Sequence, residues 1–342
     1  MSKYDIPEEI RNRKIYSFSK LSSISNGCEY GYYLSRVKKL KQRDNVWSEC
    51  GSKVHDLLER MQIKEVDNSD AIEEFNSFLL DLEVRDLDFP TEQIRKNYIK
   101  SVLHYMKHYK PIVCDDCKIE LKEFLKVGED KALIGFIDLI IKRGEEIIII
   151  DYKTSSKYSK KDMKANGKQL LIYSEMLKNN YKSIDNVKVG YDFIKYVKVR
   201  HKGKKRTKTV LRSKLVVEIR DKIEKDLFEV GIDGIEVSEI LLNAISRNEI
   251  PTQIIDNYEL EPHIVFLDYS AKDVVDLYRW IEEESEKIEN KINDKIDWKP
   301  INIEKENFFC KNLCGVMEHC DYYKEWYRKQ GDDVLDIEGD LF

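Results

Sequence analysis

The sequence of 342 residues lacks the features that would place it in a membrane or outside the cell. No apolar run approaches the roughly 20 residues that a helix needs to cross a bilayer. The N-terminal segment 1–9 is polar and acidic, so it lacks the pattern of a secretory signal. We therefore expect a cytoplasmic protein whose seven cysteines, an odd number, stay reduced and form no disulfide framework.

Two further absences limit the possible functions. The sequence shows no internal repeat, and it has no GxxxxGK[ST] phosphate loop, since Asn166-Gly-Lys-Gln169 lacks the required hydroxyl residue. The chain is therefore predicted to contain no nucleotide-driven motor. Charged residues at 36% and apolar residues at 42% are typical of a soluble globular protein with an ample core.

Positive charge is concentrated in one segment of a chain whose net charge is −5. Residues 195–214 contain ten lysines or arginines and no acid, and Gly203 predicts the tip of an extended hairpin. A solvated charged ribbon is the alternative, but the lack of interspersed acids favours contact with nucleic-acid phosphates. The predicted contact residues are Lys195, Lys198, Arg200, Lys202, Lys204, Lys205, Arg206 and Lys208.

Two apolar, β-rich runs each carry a carboxylate where the pattern predicts an aliphatic residue. Asp138 follows the first run, Asp151 follows the second, and Lys153 stands two positions later. The link 142–146 contains Gly144 and suits an antiparallel hairpin. Two acids and a lysine on neighbouring strands suit a divalent cation and a phosphate better than a core, although a buried ion pair is the alternative.

The cysteines near the C-terminus predict a metal site. Cys310, Cys314 and Cys320 lie within eleven residues. Zinc would require a nearby fourth ligand, and His319 adjoins Cys320 awkwardly, whereas an iron–sulfur cluster accepts a fourth thiolate from distant sequence. The separate Cys114-x-x-Cys117 has no second pair nearby, so we interpret it as a loop with incidental cysteines.

The remaining pattern predicts elements around these motifs. Helices are predicted over 46–64, within 66–110, from about Gly167, and over 213–247 and 270–295; strands are predicted over 119–127 and 187–199. Gly51 and His55 are four residues apart on one helix, where the glycine would permit close backbone approach. Taken alone, His55 is also compatible with a structural role. Gln169 and Tyr173 share a helical face in the same way.

The ordered motifs resemble the RecB-like branch of the PD-(D/E)XK nuclease superfamily. They are Gly51-x-x-x-His55, Asp138, Asp151-x-Lys153 and Gln169-x-x-x-Tyr173. Cys28, together with the C-terminal cysteines, resembles the iron–sulfur members of that branch. These members include AddB-type nuclease domains and the CRISPR-associated nucleases of spacer acquisition. The resemblance covers residues 14–60, 119–200 and 300–325.

The resemblance implies an α/β fold with a restriction-endonuclease-like core, in which helices flank a mixed central sheet. It also implies additional helical segments and a C-terminal iron–sulfur clasp. We expect a single nuclease domain over 1–330. Its parts are an N-terminal helical part (14–110), a catalytic core (119–200), the basic hairpin (195–214), a helical part (213–295) and the cysteine clasp (300–325).

The resemblance also implies roles for individual residues. Mg²⁺ or Mn²⁺ would be bound by His55, Asp138, Asp151 and the backbone carbonyl of Tyr152. Lys153 would polarise the attacking water or stabilise the phosphate, while Gln169 and Tyr173 would hold the site and the DNA strand. Glu123 would correspond to an acidic residue of some relatives. A [4Fe–4S] cluster, structural because hydrolysis needs no electron, would be bound by Cys28, Cys310, Cys314 and Cys320.

The expected function is that of a metal-dependent DNA exonuclease acting on single-stranded or end-containing DNA in recombination, repair or phage DNA metabolism. One alternative is a CRISPR spacer-acquisition nuclease that trims DNA for integration. Another alternative is a non-catalytic iron–sulfur DNA-binding subunit. The intact acid–acid–lysine set argues against this alternative. The acidic tail 331–342 resembles the tail of single-strand-binding proteins and, in Asp340-Leu-Phe342, a sliding-clamp peptide; a disordered solubilising tail is the alternative.

Overall fold

The structure, a computed structural model, describes residues 6–25, 27–181, 184 and 186–330. The acidic tail 331–342, with its predicted contacts to a single-strand-binding protein or a sliding clamp, lies outside these residues. Within the described part of the chain, no helix combines the length and the apolar character needed to cross a bilayer.

A mixed sheet of seven strands forms the centre of the described structure. The strands are β1 (Lys14–Tyr16), β2 (Asp116–Val127), β3 (Lys131–Arg143), β4 (Glu146–Lys153), β5 (Val187–His201), β6 (Thr207–Leu211) and β7 (Tyr258–Leu267). Strand β3 pairs antiparallel with β2 and β4 and parallel with β1. Strand β5 pairs parallel with β4 and antiparallel with β6 and β7.

The hairpin predicted around the two carboxylates is present. Strands β3 and β4 pair with Leu139 opposite Ile150, and Arg143 is opposite Glu146. The intervening turn contains Gly144 at φ 57°, a left-handed conformation that glycine adopts without steric cost. The two carboxylates are therefore on adjacent strands, as the sequence predicted.

Helices cover both faces of the sheet. They are α1 (Phe18–Ser25), α2 (Glu29–Tyr32), α3 (Val46–Gln62), α4 (Asn68–Val84), α5 (Glu92–Lys107), α6 (Lys160–Asn180), α7 (Leu215–Glu218), α8 (Arg220–Glu229), α9 (Gly234–Arg247), α10 (Ala271–Asn293), α11 (Asn307–Asn312) and α12 (Asp321–Lys329). The two helices that matter most for the site begin at side-chain caps. Asn45 accepts a hydrogen bond from the Ser48 amide before α3, and Ser159 accepts one from the Asp162 amide before α6.

Alternate side chains of β4 pack into two different cores and so hold a layer of helices on each face of the sheet. Ile147 and Ile149 pack into a core with α1, α6 and α10 on one face. Ile148 and Ile150 pack into a second core with α3, α4 and α5 on the other face. A third core joins α7, α8 and α9 to the outer half of β5 and to β6. The fold is therefore α/β, with a mixed sheet flanked by helices, as expected.

The residues between the predicted helical segments 213–247 and 270–295 contain a strand that the sequence analysis did not identify. Tyr258–Leu267 forms strand β7, which pairs with β5. Pro262 argued against a strand because it has no amide to donate, but β7 has β5 as its one partner, and the pairing shifts register nearby. Edge strands and irregular positions tolerate proline.

The two ends of the described chain contact each other. The Tyr30 amide donates a hydrogen bond to the Lys299 carbonyl at 2.9 Å, and the Arg43 amide donates to the Gly315 carbonyl at 2.8 Å. The ring of Tyr32 stacks on Trp298 with 5.6 Å between ring centroids. Residues 28–43 and 298–322 therefore form one unit, which we call the terminal clasp.

Candidate active site

Asp138 lies at the point on β3 where the pairing partner changes and the regular alternation of side chains between the two faces is interrupted. On one edge β3 pairs with β1 at residues 131–133 and with β4 at residues 139–143, so Asp138 lies between these partners. Ile137 packs in the core beneath α6, whereas Leu139 packs in the core beneath α3. Residues two apart on a regular strand share a face, so the alternation is interrupted at Asp138. The opposing Glu120 has a φ of 44°, which marks an irregularity in β2.

Strand β4 ends with the other two members of the predicted set. The Tyr152 amide donates a hydrogen bond to Asp138 Oδ2 at 2.9 Å, which anchors one oxygen of that carboxylate. Lys153 Nζ lies 2.5 Å from Asp151 Oδ2. The side chain of Tyr152 is buried on the α3 face, so only its backbone is available to the site. Asp138, Asp151 and Lys153 therefore converge where β3 and β4 separate.

Helix α6 supplies the supporting polar residues. Lys153 Nζ donates a hydrogen bond to Gln169 Oε1 at 3.2 Å, and Gln169 Nε2 donates one to the Tyr173 hydroxyl at 2.9 Å. The four-residue spacing places both side chains on the face of α6 that packs against the sheet. This chain of hydrogen bonds limits the positions that the Lys153 ammonium can occupy.

Helix α3 supplies His55 and a residue that the sequence analysis did not identify. His55 Nδ1 lies 3.2 Å from Asp138 Oδ2. Glu59, four residues later on the same helical face, is 7% exposed. One ligand atom from each of His55, Glu59 and Asp138 lies within 4.8 Å of the others. The spacing of four from His55 was the available signal for Glu59.

Gly51 does not have the role expected of it. A Cβ at this position would meet Thr154 Oγ1 at 3.6 Å, which is an ordinary contact. The prediction of a close backbone approach at Gly51 is therefore wrong, because α3 is far enough from β4 at this point to accommodate a side chain.

The charges of the site depend on one another. Burial raises the pKa of Asp151 to about 6, although the Lys153 ammonium opposes this shift. Burial lowers the pKa of Lys153, but the charge of Asp151, the hydrogen bond to it and the charges of Tyr158 and Asp138 together raise the pKa above its usual value, so the ammonium keeps its proton. Burial and the charge of Asp138 raise the pKa of Glu59 to about 8. The raised pKa values of Glu59 and Asp151 show that burial disfavours their negative charges, and a cation bound beside them would offset this cost.

Glu123 does not belong to this site. Its carboxylate accepts hydrogen bonds from Asn180 Nδ2 and the Tyr181 hydroxyl, both at 2.6 Å. Asn180 lies about 16 Å along α6 from Gln169, given a rise of about 1.5 Å per residue. Glu123 therefore binds the C-terminal end of α6, apart from the set formed by Asp138, Asp151 and Lys153.

The structure divides the eight basic residues of the predicted hairpin into two groups. β5 and β6 form the hairpin, with Gly203 at φ 72° in its turn. The side chains at the tip are exposed and have no ion pair among the described residues; they are Lys202, Lys204, Lys205 and Arg206. The other four are Lys195, Lys198, Arg200 and Lys208. These four are engaged by groups from elsewhere in the chain.

The second group shows that acids from other parts of the chain can balance the positive charges of a segment that has no acid of its own. Arg200 pairs with Glu259 and Glu261 of β7, and Lys208 Nζ lies 3.2 Å from a Glu218 carboxylate oxygen of α7. Lys198 Nζ donates a hydrogen bond to the Ile264 carbonyl, and Lys195 is half-buried near the ring of Tyr98. The tip residues therefore remain as the candidate phosphate contacts.

The four cysteines of the predicted cluster line one small cavity in the terminal clasp. The residues are Cys28, Cys310, Cys314 and Cys320. Cys28 Sγ accepts hydrogen bonds from the amides of Gly31 and Ile301. Four thiolates around bound zinc would lie about 3.8 Å apart for Zn–S bonds of about 2.3 Å. Among the described residues, no three cysteine sulfurs lie within 4.8 Å of one another.

A second group of metal-ligand residue types lies on α5, away from the catalytic set. One ligand atom from each of His104, His108 and Glu249 lies within 4.8 Å of the others. Arg212 Nη1 lies 3.2 Å from His104 Nδ1, and a guanidinium only donates. The neutral His104 ring therefore carries its proton on Nε2, which leaves no lone pair there for a metal. We interpret this group as polar packing between α5 and the loop after α9.

Gly135 on β3 offers a test of how closely α6 must approach the sheet. A Cβ at Gly135 would lie 2.7 Å from Tyr173 Cε1 and 3.0 Å from Met176 Sδ. We expect Gly135→Ala to destabilise the protein by about 1–3 kcal/mol, because buried side chains must move. Urea denaturation measures the effect. Gly234→Ala, with open space around its Cβ, is the control, and equal stability of both variants would contradict this packing.

Together, the mixed sheet and the acid–acid–lysine set define a restriction-endonuclease-like core. The sequence profile of the PD-(D/E)XK nuclease superfamily matches residues 16–322, and the chain belongs to this superfamily.

Two further similarities are weaker. An uncharacterised protein from Rickettsia felis is 26% identical over 189 residues, which are 47% of this chain and 22% of that protein. The chain therefore corresponds to about a fifth of that relative. The crystal structure of a candidate exonuclease from Eubacterium rectale covers 93% of this chain and 92% of its own, with 10% identity and a TM-score of 0.42. We draw no functional argument from a similarity at this level.

Proposed function

We propose that the protein is a metal-dependent deoxyribonuclease that hydrolyses phosphodiester bonds from DNA ends, with single-stranded DNA as its preferred substrate. The observation that carries the proposal is the position of the Lys153 ammonium. It lies between the Asp151 carboxylate and the Gln169 amide, beside Asp138, where β3 and β4 separate. The Asp151 carboxylate and the Gln169 amide satisfy two of the three ammonium protons, which leaves the third for a phosphate oxygen or a water.

The residues fit a hard divalent cation. Asp138, Asp151 and His55 would hold Mg²⁺ or Mn²⁺ together with the Tyr152 carbonyl, and carboxylate oxygens are the ligands that these ions prefer. A cation bound there would lower the pKa of its water and neutralise charge that develops on the phosphate. The chain fits this role because Asp151 is buried and the Lys153 ammonium is its ion-pair partner among the described residues, which leaves carboxylate lone pairs for a cation.

Each protein group then has a definite task. Lys153 orients the attacking water and stabilises negative charge on the phosphate without occupying a coordination position. Gln169 limits the position of that ammonium through its hydrogen bond, and Tyr173 orients Gln169 in turn. Asp138 keeps one carboxylate oxygen on the Tyr152 amide, so its other oxygen is free to bind. Such preorganisation stabilises charge in the transition state.

Digestion of end-labelled DNA tests the proposed function. The full chain is purified without oxygen and incubated with Mn²⁺ or Mg²⁺ and linear single-stranded DNA labelled at the 5′ or the 3′ end. We expect linear DNA to be degraded and closed circular single-stranded DNA to persist. Cleavage of circular DNA at the same rate as linear DNA would contradict exonuclease activity and would indicate an endonuclease. DNA binding without cleavage across several divalent metals would favour a non-catalytic DNA-binding subunit.

We also propose that the terminal clasp binds a [4Fe–4S] cluster through Cys28, Cys310, Cys314 and Cys320. The support is that all four residues line one cavity although Cys28 is far from the others in sequence. Amide hydrogen bonds to Cys28 Sγ would stabilise a thiolate in this apolar setting. The cluster would join the ends of the chain. We propose on this basis that the protein is related to the AddB-type or the CRISPR-associated nucleases.

The exposed tip of the basic hairpin provides a prediction on DNA binding. We expect the triple substitution Lys204→Ala, Lys205→Ala, Arg206→Ala to weaken binding of single-stranded DNA and to reduce the salt dependence of log Kd by a slope of about 2, or about 0.7 per lost contact. Fluorescence anisotropy in Ca²⁺ at several salt concentrations measures both quantities. The matched control removes three charges from α8 in the variant Arg220→Ala, Lys222→Ala, Lys225→Ala. Equal effects of the two triples would contradict a specific role for the tip.

A further inference from the structure

A second cavity, of about 380 Å³, lies beside the cavity that the four cysteines line. Its walls come from α1, from both segments of the terminal clasp and from α6, and Cys28 and Cys314 line both cavities. The residue that α6 contributes is Asn166, which lies three residues before Gln169 and therefore shares a helical face with it. The volume is within the range of about 300–1,000 Å³ that is typical of small-molecule sites. The cavity therefore has room for a ligand close to the candidate active site.

The charged residues that line this cavity are cationic. They are Lys20 of α1 and Arg36 of the terminal clasp, and no aspartate or glutamate of the described chain lines it, although the sequence has 64 acids. Neither cation has an ion pair within residues 6–25, 27–181, 184 and 186–330. Burial lowers the pKa of Lys20, and the charge of Arg36 lowers it further. Two cations that share a cavity without an acid between them favour an anionic ligand.

Tyr32 of α2 adds a buried hydroxyl group. The side chain is 5% exposed and lines the cavity, and its hydroxyl has no hydrogen bond among the residues that the structure describes. Burial raises the pKa of this hydroxyl and the charge of Arg36 lowers it, so the hydroxyl and the guanidinium lie near each other. The Tyr32 ring stacks on Trp298, which fixes its position. A buried hydroxyl without a partner costs free energy, so it indicates a ligand that accepts a hydrogen bond from it.

We propose that this cavity binds a phosphate monoester, with Lys20, Arg36 and Tyr32 as its hydrogen-bond donors. All three groups donate, and phosphate oxygens accept. A monoester has a charge of about −1.5 to −2 at pH 7, so two cations suit it better than they suit the single charge of an internal phosphodiester. The hydroxyl groups of Ser22 and Ser35 also line the cavity and can rotate to donate to the same ligand.

The proposed nuclease function supplies two sources of this ligand, and the inference rests on that function for the source alone. One source is the terminal phosphate of a DNA strand, and the other is a mononucleotide that cleavage releases. A terminal phosphate bound in the cavity would lie beside the face of α6 that carries Gln169. It would therefore position the end of the strand relative to Lys153, which Gln169 orients.

Titration with inorganic phosphate, followed by calorimetry, tests the cavity without DNA. The full chain is purified without oxygen and titrated without divalent cations, so that no phosphate binds through a metal. We expect Arg36→Gln to weaken binding at least about tenfold, and Tyr32→Phe to weaken it about threefold while its ring still stacks on Trp298. Lys38→Gln, which removes an exposed cation outside the cavity, is the matched control and should bind phosphate as the unmodified chain does. Lys20→Gln repeats the titration if Arg36→Gln fails to fold.

Single-stranded oligonucleotides with and without a terminal phosphate distinguish the two sources. Binding is measured by fluorescence anisotropy in Ca²⁺, with thymidine 5′-monophosphate and thymidine 3′-monophosphate as competitors. We expect a phosphate at one of the two ends to strengthen binding about tenfold relative to a hydroxyl end, and Arg36→Gln to remove this difference. A mononucleotide that binds as tightly as the phosphorylated strand would assign the cavity to the product of cleavage.

The outcomes distinguish the phosphate cavity from the nuclease itself. Saturable phosphate binding that weakens in Arg36→Gln but not in Lys38→Gln supports the cavity even if no DNA is cleaved, in which case the proposed nuclease activity fails by itself. No phosphate binding, or equal binding by Arg36→Gln and the unmodified chain, overturns the cavity even if the protein digests DNA. Loss of iron from Arg36→Gln and Lys20→Gln at unchanged phosphate affinity also overturns it, because the two cations would then balance the charge of the cluster.

Discussion

Lys153→Ala is expected to slow DNA cleavage by about 10²–10³-fold, the effect seen when one preorganised donor is removed from a transition state. The loss should appear in kcat, because Lys153 acts at the reacting phosphate rather than along the bound strand. Affinity for single-stranded DNA, measured by anisotropy in Ca²⁺, should change by less than about threefold for the loss of one charge. Asp138→Ala should abolish cleavage to a similar or greater degree, since it removes a proposed cation ligand.

The matched control for this prediction is Lys161→Ala, which removes an exposed lysine at the beginning of α6. It should cleave DNA at the unmodified rate. Folding must be verified by circular dichroism, because Lys153→Ala leaves the buried Asp151 carboxylate unpaired, which costs about 3–5 kcal/mol. Mn²⁺ should recover part of that stability. Cleavage by Lys153→Ala and Asp138→Ala at the unmodified rate in Mn²⁺ would refute the proposed site.

Cys310→Ala is expected to have the largest effect on folding. The four cysteines surround one cavity between the two ends of the described chain, so losing one proposed ligand removes the group that joins them. Structural metals contribute about 10–16 kcal/mol in small domains, which is as large as the net stability of about 5–15 kcal/mol of most proteins. We expect loss of bound iron and of brown colour, with insoluble protein or a Tm lowered by at least about 10 °C.

A double variant at the other cysteine pair controls for the loss of thiols. Cys114→Ser, Cys117→Ser should retain iron, because Cys114 precedes β2, Cys117 lies in β2, and both pack against the core beneath α3. Iron and zinc are measured together on protein purified without oxygen. Four iron atoms in Cys310→Ala, or zinc in place of iron in the unmodified chain, would contradict the proposed cluster. The contacts between Tyr30 and Lys299 would then have to hold the clasp without it.

The sequence by itself determined the elements whose signals are local. The isoleucine-rich runs with Gly144 between them predicted the β3–β4 hairpin, and the pattern of residues 46–64 predicted helix α3, in which Val54, Leu57 and Leu58 are buried. Spacing also placed Gln169 and Tyr173 on one face of α6, where they hydrogen-bond. Such features depend on neighbours within a few residues, so periodicity and turn chemistry suffice to predict them.

Tertiary structure alone decided which charges meet. Lys208 and Arg200 belong to an acid-free segment, yet Glu218 and Glu261 come from α7 and β7 to pair with them. Pro262 concealed β7, because whether a strand lies at an edge depends on how the sheet is assembled. These contacts join residues that are distant in sequence, and no local pattern specifies them.

The carboxylates show the same division most clearly. Asp138 and Asp151 stood out because each interrupts an apolar run, whereas Glu59 and Glu123 look like ordinary polar positions of a helix and a strand. The packing of the folded chain gives Glu59 and Glu123 different surroundings. Glu123 binds the end of α6, and Glu59 lies unpaired beside His55 and Asp138. The sequence determined which residues have the chemistry of cation ligands, and the packing of α3 against β3 decided which of them lie within a few ångströms of one another.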